Sequence, residues 1–141
     1  RTQLLNVFQL DESRRLVDLP GYGFAKVPDA VKEQWQRSLS QYLERRQSLV
    51  GLVIVMDCRH PMKETDKHII NWATQAELRV HVLLSKADKL KRGPAKNTLL
   101  AVQQDVMAYG QHVTCQLFSA SDRQGLPEFE QILNDWYQED A

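Results

Sequence analysis

The sequence predicts an α/β fold: a mostly parallel sheet with helices on both faces. Three observations predict it. Two β-prone segments open the chain, separated by a short polar link. After them, helical patterns and apolar runs alternate strictly, in the order ββαβαβαβα. The run at 50–57 is apolar throughout rather than alternating, as a strand covered on both faces is.

Each element follows from its residues. Residues 3–10 are apolar and β-prone, and Asp11-Glu12-Ser13-Arg14 suits a turn into a second strand at 15–19. So short a link makes that pair antiparallel. Residues 20–29 form a loop with Pro20, Gly21, Gly23 and Pro28. From Ala30, with Asp29 as its cap, Val31, Trp35, Leu39, Tyr42, Leu43 and Leu49 recur at helical steps. Residues 50–57 form the third strand. A helix over 64–77 follows, with Ile69, Ile70, Trp72, Ala73 and Ala76 inward. The next strand is 79–84. The next helix is 95–109, with Leu99, Val102, Val106 and Met107 inward and Gly110 as its stop. A strand at 113–118 and a helix over 127–138, using Phe129, Ile132, Leu133 and Trp136, complete the series.

Length and composition bound the function. The 141 residues suit one domain spanning 1–141. The formal net charge is zero, so binding to an anionic surface needs a local patch rather than a global field. No apolar run approaches the roughly 20 residues of a membrane span, and no secretory signal pattern is present. Cys58 and Cys115 sit in apolar runs and read as reduced core thiols. These points predict a cytoplasmic protein. His60, His68, His81 and His112 do not group with acids or cysteines at ligand spacing, so no zinc site is expected.

Three strand ends carry candidate chemistry, and ligands of parallel α/β sheets bind at that edge. The first is Asp18-Leu19-Pro20-Gly21. Asp18 can support Mg²⁺ through water, and Gly21 offers a bare N–H to a terminal phosphate. The same four residues also make an ordinary strand-to-turn exit. The second is Ser85-Lys86-Ala87-Asp88. An ionised carboxylate only accepts hydrogen bonds, so Asp88 can take both the N1–H and the 2-amino group of guanine and has no match in adenine. The Lys86 stem can lie along the base while its ammonium reaches other loops. By itself Lys-x-Asp is also a common charged loop. The third is Phe118-Ser119-Ala120, where a small residue lets a backbone N–H reach the guanine O6. Together, in this order, the three point to a guanine nucleotide.

The segments Arg1-Thr2-Gln3, Val17-Asp-Leu-Pro-Gly-Tyr-Gly-Phe24, Met56-Asp-Cys-Arg-His-Pro-Met62 and Leu84-Ser-Lys-Ala-Asp-Lys-Leu90 resemble the EngB (YihA/YsxC) family of bacterial ribosome-assembly GTPases. The family belongs to the translation-factor-related class of P-loop GTPases. The resemblance covers the whole chain. It implies a G domain read from switch I onward, with GTP or GDP and Mg²⁺ as ligands. It implies that Thr2 binds Mg²⁺ and senses the γ-phosphate, flanked by Arg1, Gln3 and Leu4. It also implies a GTPase acting in large ribosomal subunit assembly and needed for normal cell division and septation. The implied partner is a precursor of that subunit, its rRNA and proteins, with neither membrane nor DNA involved and the protein a monomer.

The family's Gly-x-x-x-x-Gly-Lys-Ser/Thr loop is not among these residues. None of the six glycines is followed by Lys-Ser or Lys-Thr. That loop wraps the α- and β-phosphates, so the expectation is that it, a first strand and a first helix lie upstream of Arg1. Without them the expectation is a weak nucleotide binder, and the alternative is a GTPase-like module that binds a partner without catalysis. A GTPase of a neighbouring family, acting in division or tRNA modification, is a third reading.

Hydrolysis is expected to be slow. Tyr22 stands where many relatives place a water-orienting glutamine, so no catalytic residue is assigned. Lys86, Lys89, Lys91, Arg92 and Lys96 face one acid, Asp88, within an eleven-residue stretch. Either they are solvated surface or they contact rRNA phosphates in a salt-dependent way.

Overall fold

A computed structural model describes residues 51–139, the backbone of 6–9 and 15–18, and the helical positions Glu33 and Arg37. The chain divides into two compact units, Arg1–Leu49 and Val50–Ala141.

In the first unit, β1 (Asn6–Gln9) and β2 (Arg15–Asp18) pair antiparallel, Asn6 opposite Asp18 and Gln9 opposite Arg15. This is the predicted hairpin, with both strands shorter at their ends. Asp18 is the last strand residue, as the motif requires. Glu33 and Arg37 are helical and exposed, one turn apart on the polar side of the predicted helix. Arg1, Thr2, Gln3, Leu4, Leu19, Pro20, Gly21, Tyr22 and the Asp29 cap lie outside the described residues, as does the side chain of Asp18.

The second unit is a three-stranded parallel sheet in the order β3 (Gly51–Asp57), β4 (Arg79–Ser85), β5 (Val113–Leu117). Helix α1 (Glu64–Gln75) joins β3 to β4, α2 (Arg92–Met107) joins β4 to β5, and α3 (Leu126–Glu139) follows β5. Right-handed crossovers put α1 and α2 on one face of such a sheet. That face carries Leu52, Ile54 and Met56 beside Val80, Val82 and Leu84, all buried. The core-facing residues of the helices are Ile69, Ile70 and Ala73 in α1 and Ala95, Val102 and Val106 in α2.

Helix α3 lies against the other face. Phe129 stacks on His81 with ring centroids 6.1 Å apart and meets Phe118 edge-on. The Trp136 ring lies over Gly51, leaving no room there for a Cβ. Residues 80–84 of β4 are buried on both faces because strands flank it and helices cover it.

Three details differ from expectation. Helix α2 begins at Arg92 rather than 95, and takes in Gly93 and Pro94. A first-turn N–H has no intrahelical acceptor, so proline loses nothing there. Ala76 is exposed, because α1 has ended at Gln75. Met107 is 74% exposed at the last position of α2, turned about 100° away from buried Val106.

Candidate functional site: the joint C-terminal edge of β3, β4 and β5

The register brings Asp57 of β3 opposite Ser85 of β4, and Leu84 of β4 opposite Leu117 of β5. All three strands therefore deliver their exits to one edge. The ladder continues past the strands. Phe118 N–H donates to the Leu84 carbonyl at 2.8 Å, and Ala87 N–H donates to the Phe118 carbonyl at 3.1 Å. These bonds fasten the Ser85–Asp88 loop to the Phe118–Ala120 loop.

Ser85 closes β4, and its hydroxyl donates to the Met56 carbonyl at 2.9 Å. Lys86 takes a left-handed conformation, φ 59° and ψ 34°. That turn directs the chain into a short 3₁₀ turn, Ala87–Lys89, in which Ala87 is buried. A small residue is needed at 87 because it packs beneath the loop. Asp88 sits in the turn with its carboxylate at the surface edge.

Ser119 holds that carboxylate. Its hydroxyl donates to Asp88 Oδ1 at 2.9 Å and is itself wholly buried. The hydroxyl also accepts from Asp122 N–H at 3.3 Å and lies 3.2 Å from the Ser121 hydroxyl. The Ser119 bond is the main cause holding the Asp88 carboxyl below its usual range. Asp88 is thus an ionised acceptor with a set orientation. Lys89 Nζ lies 3.9 Å from Asp88 Oδ2, and Ala120 is exposed beside the pair.

Behind the edge, a buried polar chain fixes the loop that carries Ser119. Gln116 Nε2 donates to the Gly125 carbonyl at 2.7 Å and the Leu117 carbonyl at 3.1 Å. Gln116 Oε1 therefore faces His81 Nε2 at 2.8 Å, and Thr114 Oγ1 lies 2.6 Å from His81 Nδ1. With an acceptor at Nε2 and a hydroxyl at Nδ1, the fitting form is the neutral Nε2–H tautomer. Burial pushes the His81 pKa below its ordinary value, which agrees.

The sequence-predicted residues Ser85, Lys86, Ala87, Asp88, Phe118, Ser119 and Ala120 are thus one constellation. The predicted phosphate and Mg²⁺ residues lie outside the described part. Asp57 ends β3 and Cys58 and Arg59 begin the turn after it, and both Asp57 and Cys58 touch Lys86. No sequence signal identifies the Ser119 hydroxyl as the partner of an aspartate 31 positions earlier. Cys58 and Cys115 are both free thiols, as expected. Among the described residues no cluster of His, Cys, Asp or Glu could hold a metal ion. No described helix is long and apolar enough to cross a membrane.

No family model matches the chain. Individual relatives do. It is 55% identical over 137 residues to a protein of Alteromonas mediterranea named "Probable GTP-binding protein EngB", covering 97% of this chain and 65% of that one. The protein of the same name from Idiomarina loihiensis is also 55% identical, with 66% of its length covered. That of Coxiella burnetii is 50% identical, with 67% covered. The chain thus spans about two thirds of the length of the curated relatives it matches. Among solved structures it resembles the translation elongation factor SelB of Methanococcus maripaludis. The TM-score is 0.69 to the apo form at 18% identity, covering 93% of this chain and 27% of that one. It is 0.67 to the complex with the GTP analogue GPPNHP, at 15% identity and covering 95% and 27%. At such identity the likeness shows the G-domain fold.

Proposed function

The chain belongs to the EngB family of GTP-binding proteins, and from that premise we propose that its described edge is the guanine-recognising part of a Mg²⁺-dependent GTPase switch. One observation carries the reading: the Asp88 carboxylate, ionised and oriented by Ser119, at the shared C-terminal edge of β4 and β5. Asp88 accepts from the N1–H and the 2-amino group of guanine. Lys86 covers a face of the base with its stem. The N–H of Ala120 meets O6. Ser85, Ala87, Phe118 and Ser119 hold these three in place.

The remaining assignments rest on sequence. Gly21, with Leu19 and Pro20 beside it, and Thr2, with Arg1, Gln3 and Leu4 around it, would sense the γ-phosphate. Thr2 would bind Mg²⁺ directly and Asp18 through water. Bound Mg²⁺ would offset charge on the phosphates as water displaces GDP from the γ-phosphoryl group. The switch acts in the cytoplasm as a monomer on a precursor of the large ribosomal subunit, and through it on cell division and septation. The basic residues Lys89, Lys91, Arg92 and Lys96, all at or near the surface around the start of α2, support an rRNA contact.

Calorimetry on the full-length protein tests the reading. GTP should bind and ATP should not. Asp88→Asn should move the preference from GTP to xanthosine triphosphate, because a carboxamide can donate to the 2-oxo group. An unmoved preference overturns the assignment.

A further inference from the structure

The turn that leaves β3 reaches Lys86 at two points. Because Asp57 is in register with Ser85, residues 57–59 run beside the start of the Ser85–Asp88 loop. Cys58 N–H donates to the Ser85 carbonyl at 3.0 Å, which extends the ladder by one residue. The Cys58 thiol then donates to the Lys86 carbonyl at 3.3 Å. Cys58 is 1% exposed, so that thiol is shielded from water. Burial pushes its pKa up, which keeps it a protonated donor.

The contact matters because of what Lys86 is doing. A left-handed conformation is strained for a residue with a Cβ, and Lys86 adopts one. Such a peptide needs its polar groups tied on both sides. The carbonyl accepts from Lys89 N–H at 2.9 Å within the 3₁₀ turn and from the Cys58 thiol across the turn that leaves β3, and the following N–H, that of Ala87, goes to Phe118.

The far end of the same side chain meets Asp57. Arg59 sets that carboxylate with Nε to Oδ1 at 3.0 Å, Nη2 to Oδ2 at 2.7 Å and its own N–H to Oδ1 at 2.9 Å. The arginine holds the Asp57 carboxyl far below the usual carboxylate range. Lys86 Nζ lies 3.9 Å from Asp57 Oδ2. An ion pair this exposed adds little energy. What it sets is the direction of a long side chain.

We propose that Asp57 and Cys58 are positioning residues for guanine recognition, Cys58 holding the carbonyl of Lys86 and Asp57 its ammonium, so that the lysine stem is already laid out to cover the purine. This rests on the assignment of the Ser85–Asp88 loop made above. Neither residue touches the base. Their loss weakens binding through Lys86 and leaves the Asp88 selection of guanine over adenine unchanged.

The test uses the full-length protein, with GTP, ATP and xanthosine triphosphate affinities from calorimetry and the unfolding temperature without nucleotide. Asp57→Asn and Cys58→Val should each weaken GTP binding by about three- to fivefold, with the rejection of ATP retained. Cys58→Ser keeps a donor and should stay within about twofold of the wild type. A residue that merely fills space would give the reverse order, Val tolerated and Ser not. In a Lys86→Met background, Asp57→Asn should add nothing further. If Cys58→Val does not fold, the half-exposed Asp57 carries the same test alone. Wild-type affinity in Asp57→Asn and Cys58→Val, or additivity with Lys86→Met, overturns the proposal while a working Asp88→Asn switch leaves the guanine assignment standing. Failure of the Asp88→Asn switch removes both.

Discussion

The Ser119 hydroxyl donates to Asp88 Oδ1 across 2.9 Å, although the two residues leave different strands 31 positions apart. The parallel pairing of β4 with β5 makes this possible, since both exits then open on one edge. Removing the hydroxyl leaves the carboxylate in place but free to rotate. Ser119→Ala should therefore weaken GTP binding roughly tenfold. A protonated Asp88 cannot accept both guanine donors, so binding is lost as pH falls through its pKa. Ser119 lowers that pKa. The acid edge of GTP binding should thus move to higher pH in Ser119→Ala. Fluorescent-nucleotide titrations from neutral pH downward measure both effects.

His81 predicts a pH dependence of stability. Its pKa in the folded protein lies below the ordinary 6.5. Above that value both folded and unfolded chains hold a neutral ring, and stability is complete. As pH falls below 6.5, the unfolded chain takes up the proton first and unfolding becomes easier, down to the lower folded pKa. The unfolding temperature should drop as pH falls below about 6.5. His81→Gln should be less stable at neutral pH and should lack the part of that slope due to His81.

Gly125 is required by its neighbours. Its φ is +82°, and a Cβ there would meet the Leu117 carbonyl and lie 2.6 Å from Gln116 Nε2. Gly125→Ala should cost about 2–4 kcal/mol, from backbone strain and displaced hydrogen bonds. It should also weaken GTP binding, because Ser119 N–H donates to the Gln124 carbonyl in the same loop. Ile70→Ala, in the wholly buried face of α1, should cost a similar 2–5 kcal/mol. Its folded fraction should keep normal nucleotide affinity. Denaturant melts beside calorimetry separate the two cases.

The start of α2 carries Lys91 as its cap and Arg92 as its first residue, with no acid in the first turn. Positive charge is unfavourable at that end of a helix. A double reversal, Lys91→Glu with Arg92→Glu, should therefore stabilise the helix slightly. In the proposed function the same change should weaken co-sedimentation with large ribosomal subunits and reduce its salt dependence. Unchanged sedimentation of a more stable variant would take this patch out of the account.

The order and type of the described elements were legible because each rests on a local period. Residues 80–84 are a strand for the reason they read as such, burial on both faces, whereas β3, expected to be covered on both, is buried only on the Leu52, Ile54 and Met56 face, with Val55 60% exposed on the other. The stripe Ile69, Ile70, Ala73 is inward because the helical repeat makes it one face. Boundaries were less legible. Nothing local marks Arg92 as the start of α2, since Pro94 is read as a breaker until its first-turn place is known. Met107 fits the apolar set by type, but only the angle and depth of the packed helix show that the core ends at Val106.

By itself the sequence determined the alternation of strands and helices, the three strand-end motifs and the chemistry of Asp88 as a two-oxygen acceptor. Those properties belong to single residues or to short periods. Only the tertiary structure decided which groups hold that chemistry in place: Ser119 on Asp88, Cys58 and Asp57 on Lys86, and Gln116 on Gly125. Such contacts arise where separate strands end side by side. Sheet register sets them, and no spacing along the chain encodes register between strands joined through a helix.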